Sequence, residues 1–193
     1  MEYSGLQSYT DHPYLGGNIL EGDPFTFAPR SWQYLMDRFA INSVLDLGSG
    51  LGYSAAFFHK AGAKVIAVDG LLKNVEKAIY PTIQADLALA PVHCCVDLVH
   101  CQEVVEHIDE NYLDNLLSSL SCGRFIVMTN ALPGQEGHHH INEQQTSYWT
   151  GHMARYNCHL LVEDTYRLRL LAASEGANYL AATGSIYANR NKF

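Results

Sequence analysis

The sequence predicts an α/β fold in which a doubly wound, seven-stranded sheet forms one domain of residues 1–193. Two observations support this prediction. Short apolar runs of strand length alternate along the chain with stretches of helical period. One of these runs, Arg124 to Thr129, is almost wholly apolar, as expected for a central parallel strand. A chain of this length can also bury about 70% of its unfolded surface, which is enough for a core.

The secondary-structure elements are predicted from the spacing of apolar residues and from the Gly and Pro residues that interrupt it. Residues 1–28 are rich in Tyr, Gly and Pro without a sustained period, and predict an irregular N-terminal arm. Pro29 to Phe39 predicts a helix, since Pro suits the first turn and four apolar side chains share one face. Further helices are predicted at 52–61, 72–80, 109–121, 144–156 and 164–174, and Tyr112 is expected to point inward. Strands are predicted at 43–47, 64–68, 82–85, 96–101, 124–129, 159–162 and 179–188.

Composition excludes several classes of function. The formal net charge is −8 and the sequence pI is about 5.6, so a surface that tracks phosphates, and with it a nucleic-acid partner, is not expected. No basic leader with an apolar core begins the chain, and no apolar run has the length of a membrane span. The five cysteines form no C-x-x-C pair and are expected to be buried, reduced thiols. We therefore expect a soluble, cytoplasmic chain without a membrane partner.

The segment 43–54, followed by 65–70, says most about function. It predicts a buried strand, a glycine turn that opens a helix, and a second buried strand that ends in Asp69. Glycines at 48, 50 and 52 permit positive φ and let a ligand approach the backbone. Asp69 follows Asp46 by roughly the ~20 residues at which a second-strand carboxylate binds ribose hydroxyls. The combination predicts a nucleoside-bearing ligand.

The glycine spacing distinguishes among such ligands. A dinucleotide fingerprint reads G-x-G-x-x-G, whereas this chain has Gly48-x-Gly50-x-Gly52 preceded by Asp46. The pattern resembles the first motif of class I S-adenosylmethionine-dependent methyltransferases. The resemblance implies a Rossmann-like, mostly parallel sheet with an antiparallel last strand, S-adenosylmethionine as cofactor and S-adenosylhomocysteine as product. It also implies that Gly48, Ser49 and Gly50 line the cofactor and that Asp69 holds the ribose.

Two further strand ends match the same family. Asp86 and Leu87 follow the third strand, where the family binds adenine, although a turn-forming aspartate is an alternative reading of Asp86. The stretch 96–108 resembles the fourth motif, which places Gln102 and Glu103 near the sulfonium or the acceptor, while Glu106-His107 is expected to support the loop. The predicted cofactor-binding residues are Asp46, Gly48, Ser49, Gly50, Gly52, Asp69, Gly70, Asp86, Leu87, Cys101, Gln102 and Glu103.

The least generic segment is the polar loop and helix start at 133–149. It resembles a subgroup of small bacterial and phage methyltransferases with a P-G-Q-x-G-x-x-H-I-N loop and a Y-W pair, a likeness that extends to 15–17 and 22–24. On this match His140 and Asn142 are motif positions. We predict His140 as a base or hydrogen-bond donor, with Asn142 orienting either it or the acceptor. A solvated loop with incidental histidines is the alternative.

Further side chains are predicted to meet the substrate, and no metal is expected. Adjacent side chains of an extended segment point to opposite faces, so only His138 and His140 could converge, and no aspartate pair accompanies them. Tyr148 and Trp149 are predicted to wall the acceptor site, although core packing is an equal alternative for Trp149. The arm from Tyr14 to Phe27 is predicted to close over the cofactor. The candidate substrate residues are Tyr14, His138, Tyr148 and Trp149.

The sequence thus predicts methyl transfer from S-adenosylmethionine to an oxygen or nitrogen of a small-molecule or glycan-like acceptor. Two alternatives remain at this point. One is a catalytically silent module that only binds the cofactor, and the other is a nicotinamide-dependent reductase, which the glycine spacing disfavours. Neither the acceptor nor the oligomeric state follows from the sequence.

Overall fold

A seven-stranded sheet organises the described part of the chain, flanked by helices on both faces. The structure is a computed structural model that describes residues 6–7, 15, 18–19, 22–135 and 137–193. The strands are β1 (Leu6–Gln7), β2 (Asn18–Ile19), β3 (Ser43–Leu47), β4 (Lys64–Asp69), β5 (Thr82–Gln84), β6 (Val96–Cys101), β7 (Gly123–Met128), β8 (Cys158–Leu160) and β9 (Ser185–Asn189). The α-helices are α1 (Pro29–Phe39), α2 (Tyr53–Lys60), α3 (Leu72–Lys77), α4 (Leu113–Leu120), α5 (Thr146–Arg155), α6 (Val162–Glu175) and α7 (Asn178–Thr183).

The sheet has the strand order β5-β4-β3-β6-β7-β9-β8. The pairs from β5 to β7 are parallel, and β9 runs antiparallel to both β7 and β8. The predicted fold class, a doubly wound, mostly parallel sheet with an antiparallel last strand, is confirmed. The order reverses between β3 and β6, so their carboxyl ends flank a crevice in which α/β proteins of this type bind ligands. The short pair β1 and β2 lies in the segment predicted to be an irregular arm.

Two apolar layers cover the two faces of the sheet, and alternate residues of one strand enter different layers. On β3, Val44 packs into the layer formed with α1, α2 and α6, whereas Leu45 packs into the layer formed with α4 and α5. Because both faces are buried, β3 is apolar at Val44, Leu45 and Leu47, while Ser43 begins the strand half-buried and Asp46 is a buried acid.

Three details differ from the sequence-based expectations. The predicted last strand 179–188 is wrong in its first half, because residues 178–183 form α7, whose Leu180 is buried. Gly184 ends that helix where a Cβ would overlap the carbonyl oxygen of Leu180, so β9 begins only at Ser185. Tyr112 is not inward but 45% exposed, because it lies in a 3₁₀ turn before α4. All five cysteines are free as expected, but Cys95 is exposed rather than buried.

In the part of the chain that the structure describes, no helix combines the length and apolar character needed to cross a bilayer.

Candidate active site

A cavity of about 830 Å³ opens at the carboxyl ends of β3, β4 and β6. Its volume lies at the upper end of the range that small-molecule sites occupy. Most of the residues singled out from the sequence line it. These are Gly48, Ser49, Gly50, Asp69, Gly70, Asp86, Leu87, Gln102, Glu103, His138 and His140.

The glycine loop after β3 requires glycine for two physical reasons. Gly48, Gly50 and Gly52 have φ values of 75°, 55° and 79°, in the left-handed region that other residues rarely adopt. A Cβ on Gly48 would also overlap the side chain of Val104. The amides of Gly48 and Ser49 both donate to the carbonyl of Val68, at 2.8 and 2.9 Å, which fixes the loop over the end of β4.

Asp69, at the end of β4, organises the wall beside this loop. Its Oδ2 accepts from the Gly50 amide at 2.8 Å, and its Oδ1 accepts from the Leu71 amide at 2.9 Å and from Asn74 Nδ2 at 3.1 Å. Burial raises the pKa of Asp69 from its usual 3.8 to about 6, in spite of these donors. A carboxylate has about four acceptor positions, so Asp69 can still accept from a ligand hydroxyl.

Asp46 lies beneath the site and does not line the cavity. The sequence-based prediction that it contacts the cofactor is therefore not met. Its carboxylate is buried, with Oδ1 2.7 Å from His100 Nδ1 and Oδ2 accepting from Ser54 Oγ at 2.6 Å. It therefore ties β3 to β6 and to the first turn of α2. His100, which sequence reasoning missed, does line the cavity, with its ring edge-on to those of Trp32 and Phe58.

Buried polar atoms without a hydrogen-bond partner cluster on the cavity wall between β3 and β6. In the described residues these include Trp32 Nε1, Ser49 Oγ, His100 Nε2 and both amide atoms of Gln102. Buried polar groups are nearly always paired in folded proteins. Donors and acceptors left together in this way fit a ligand with a charged, polar end such as an amino-acid moiety.

The opposite end of the cavity is more apolar. Leu87 and Gly70 line it, and a Cβ on Gly70 would meet the side chain of Leu15 at 2.7 Å. Asp86 Oδ1 accepts from the Ala88 amide at 2.8 Å, so the turn-forming role considered for Asp86 is present, and the residue also lines the cavity. This end suits a planar, partly polar ring.

The N-terminal segment contributes to the same cavity, as the arm prediction requires. Its described lining residues are Leu15, Gly22, Asp23, Pro24, Thr26 and Phe27. Tyr14, the substrate candidate in this arm, lies outside the described residues. Tyr179 of α7 lines the cavity too, and the sequence offered no signal for it because this stretch was predicted to be a strand.

A third region of the wall is formed by the turn after β6 and the histidine loop. Glu103 adopts a φ of 56°. The hydroxyl of Thr129 accepts a hydrogen bond from the amide of Glu103 and donates one to Oε1 of Glu103, each at 2.8 Å. Glu106 is fully buried, and its backbone carbonyl accepts from the amides of Ile141 and Asn142. The turn and the loop therefore form one unit.

Burial shifts the ionisation of this unit strongly. It raises the pKa of Glu103 to about 7, and together with the charge of Glu103 it raises the pKa of Glu106 well above its usual value. Burial, and next the neighbouring His140 ring, lower the pKa of His107 to about 4. Burial also lowers the pKa of His140, although Glu143 Oε1 lies 3.4 Å from its Nδ1. Both imidazoles are therefore uncharged near neutral pH.

Three residues predicted at the acceptor or catalytic site do not line the cavity. Trp149 is 0% exposed and packs in the core with Met153, so the alternative of core packing is the correct one. Tyr148 donates to Glu110 Oε1 at 2.9 Å outside the cavity. Asn142 is buried, with Nδ2 donating to the carbonyl of Ile108 at 3.0 Å, so it holds the turn after β6 rather than an acceptor.

Two predicted cofactor residues also lie behind the wall. Cys101 is fully buried in the apolar layer under β6, because its side chain points away from the cavity that its neighbour Gln102 faces. Gly52 precedes α2 in a left-handed conformation and shapes the loop from outside the lining. His107, in contrast, lines the cavity, whereas the sequence predicted only a supporting role for it.

Comparison with known protein families finds one match, which covers the glycine loop and the turn after β6. Residues 45–121 match the family model described as a methyltransferase domain. Over this segment, about two fifths of the chain, the sequence is similar to methyltransferase domains. This likeness supports the predicted enzyme class, a methyltransferase, and agrees with the predicted S-adenosylmethionine cofactor. No curated protein sequence matches the chain.

Solved structures share this fold at low sequence identity. A TehB-like S-adenosylmethionine-dependent methyltransferase from Corynebacterium glutamicum is 15% identical, with a TM-score of 0.58 over 83% of this chain and 88% of that one. Magnesium protoporphyrin IX methyltransferase from Synechocystis PCC 6803, solved with S-adenosylmethionine bound, is 18% identical, with a TM-score of 0.53 over 68% and 69%. The methyltransferase domain of bacterial CtHen1 is 16% identical, with a TM-score of 0.56 over 70% and 86%. At these identities the likeness concerns the fold alone.

Proposed function

We propose that this chain transfers a methyl group from S-adenosylmethionine to an oxygen or nitrogen of a small-molecule acceptor. The observation that carries the proposal is the single cavity wall that joins the glycine loop, Asp69 and the turn after β6. The matched methyltransferase domain covers each of these three parts. The cofactor supplies an activated methyl group on a sulfonium, so the protein mainly has to bind, orient and exclude water.

The residues present fit the cofactor along the crevice. Asp69 would accept from the ribose hydroxyls, because its carboxylate faces the cavity and is already held by three donors. Leu87 and Asp86 would hold the adenine. The unpaired atoms of Ser49, His100 and Gln102 would bind the amino-acid end, where each lone polar atom would gain a partner.

The acceptor would enter from the histidine end, which borders the cavity beyond Gln102. His138 and His140 line this end together with His107. An oxygen acceptor has to lose a proton, and a neutral imidazole is a suitable group to receive it. We assign a part in activating the acceptor to His140, with Asn142 holding the adjoining turn. A net charge of −8 supports a small acceptor rather than a nucleic acid.

Turnover with a panel of acceptors tests this proposal. The full chain is incubated with S-adenosylmethionine and alcohols, phenols or amines, and formation of S-adenosylhomocysteine is followed. We expect acceptor-dependent product, and much less of it from Asp69→Asn at limiting cofactor, because this variant should bind the cofactor about 10- to 100-fold more weakly. Cofactor binding without turnover for any acceptor would instead favour the silent binding module. Absence of cofactor binding would refute the proposal.

A further inference from the structure

Three ionisable side chains, those of Glu106, His107 and His140, meet beside the histidine end of the cavity. One ligand atom each from Glu106, His107 and His140 lies within 4.8 Å of the other two. Two ligands bound at about 2.1 Å to one ion lie about 3 to 4 Å apart. Only a small approach of the side chains would therefore place all three around a common ion.

Glu106 gives the second, independent reason. It is fully buried, no basic group pairs with its carboxyl oxygens in the described residues, and the one side chain that can share a hydrogen bond with them there is the acidic Glu103. The carboxyl group of Glu103 adjoins it, so two acidic groups share a water-poor site. No salt bridge to either glutamate occurs in the described part of the chain. Unpaired buried carboxyl groups are costly, and a cation between them removes that cost.

His107 is oriented as metal-bound histidines usually are. His107 Nδ1 lies 3.2 Å from the backbone carbonyl of His139. A carbonyl oxygen only accepts, so Nδ1 carries the hydrogen and Nε2 keeps its lone pair. Metal-bound histidines commonly donate their second N–H to a carbonyl or carboxylate in this way. His140 Nδ1 lies 3.4 Å from Glu143 Oε1, near enough for attraction but without hydrogen-bond geometry.

The backbone supports this arrangement at some cost in strain. Glu103 and His139 both adopt positive φ, at 56° and 54°, which is uncommon for residues other than glycine and concentrates at functional sites. Gly137 leaves room for the ring of His140, since a Cβ at this position would overlap the imidazole. The loop thus places His140 against the turn that carries Glu106 and His107.

We propose that Glu106, His107 and His140 bind one divalent first-row transition-metal ion at the acceptor end of the cavity, with Glu103 as a further oxygen ligand. Two imidazoles with carboxylates favour Mn²⁺, Fe²⁺, Co²⁺ or Zn²⁺ over Mg²⁺, which prefers oxygen ligands. The sequence predicted no metal because only the 138–140 loop was considered. The partners of His140 come instead from the turn after β6.

If the proposed function holds, the metal site also restricts which kind of acceptor atom can be methylated. Glu103, His107 and His140 line the cavity, so an ion there would be open to an incoming ligand. A bound divalent cation lowers the pKa of a coordinated hydroxyl group. The site therefore favours an oxygen acceptor over a nitrogen acceptor. The proton of the coordinated hydroxyl would pass to water at the open side of the cavity, and His140 would act through the ion rather than as a free base.

Metal binding by the chelator-treated full chain tests the proposal. Mn²⁺, Co²⁺ and Mg²⁺ are titrated separately by calorimetry, and the visible spectrum of the Co²⁺ complex is recorded. We expect one equivalent of Mn²⁺ or Co²⁺, with Mg²⁺ bound much more weakly. Glu106→Gln, His107→Ala and His140→Ala should each weaken Mn²⁺ binding by at least about 100-fold, more than loss of an outer hydrogen bond would.

Matched variants separate this site from general imidazole binding. Gly137→Ala keeps every ligand but displaces the His140 ring, so it should also weaken Mn²⁺ binding. His93→Ala removes an exposed histidine elsewhere and should leave it unchanged. Mn²⁺ binding that is absent, or that survives all three ligand substitutions in folded protein, overturns the proposal. Calorimetry with S-adenosylhomocysteine on the same samples shows separately whether the cofactor site, and thus the proposed function, is intact.

Discussion

Replacing Asp69 with Asn should separate the stability of the protein from its cofactor affinity. The carboxyl group is 6% exposed and its pKa is raised to about 6 from 3.8 by burial. The folded protein therefore holds this proton more tightly than the unfolded chain does. The stability that this provides is present below about pH 3.8 and is lost as the pH rises through about 6. Ionisation of this group thus costs about 3 kcal/mol in the folded state at pH 7.

Asn cannot ionise, so the variant escapes this cost, but its amide leaves the Gly50 N–H without an acceptor. An unpaired N–H costs about 1–3 kcal/mol, so Asp69→Asn should be nearly neutral for stability at pH 7 and destabilising at pH 4.5. The difference in the free energy of unfolding between variant and wild type should change by about 2 kcal/mol between these pH values. Urea unfolding at both pH values measures it.

The same substitution should strongly weaken cofactor binding. Hydrogen bonds to a charged group contribute about 1.5–3 kcal/mol each, so loss of one ribose contact should weaken S-adenosylhomocysteine binding by about 10- to 100-fold in calorimetry at pH 7.5. Wild-type affinity should also fall as the pH drops below about 6, and the variant should show a smaller dependence. The reasoning on Asp69 is refuted if the variant binds within threefold of wild type, or if its relative stability does not depend on pH.

Four further substitutions test other parts of the structure. Gly48→Ala adds a Cβ at φ 75° against Val104, so calorimetry should show at least about tenfold weaker S-adenosylhomocysteine binding. Gly151→Ala, in an exposed position of α5 with no neighbour in the way, should raise stability by up to about 1 kcal/mol and leave that affinity unchanged. Trp149→Ala should lower the free energy of unfolding by about 3–5 kcal/mol in urea, and an unchanged stability would contradict its core position. His140→Ala should lower turnover far more than cofactor affinity, and unchanged turnover would show that His140 has no part in acceptor activation.

The sequence was most informative where local chemistry determines structure. The strands 43–47 and 96–101 are found with the predicted bounds, because a parallel strand buried on both faces is a short, nearly uninterrupted apolar run. The glycine loop was recognisable for a similar reason, since three positive φ values in five residues require glycine. Helix α7 was missed because its apolar residues fit either period over so short a stretch.

Side-chain roles were harder to predict than elements. Asp46 and Asp69 are both acids on neighbouring buried strands, but only Asp69 faces the cavity, and Asp46 is paired with His100 beneath it. Trp149 looked equally suited to a binding wall and to the core. The meeting of Glu106 and His107 with His140 depends on hydrogen bonds between two loops far apart in sequence, which no local pattern reveals.

Calorimetry of the full chain with S-adenosylmethionine, S-adenosylhomocysteine and NAD tests the central claim most directly, namely that the crevice between β3 and β6 is an S-adenosylmethionine site. We predict one equivalent of each S-adenosyl compound bound per chain, and no binding of NAD at the same concentrations. Binding of NAD with none of the S-adenosyl compounds would contradict the account, because the glycine spacing, Asp69 and the unpaired atoms near Gln102 would then serve a different ligand.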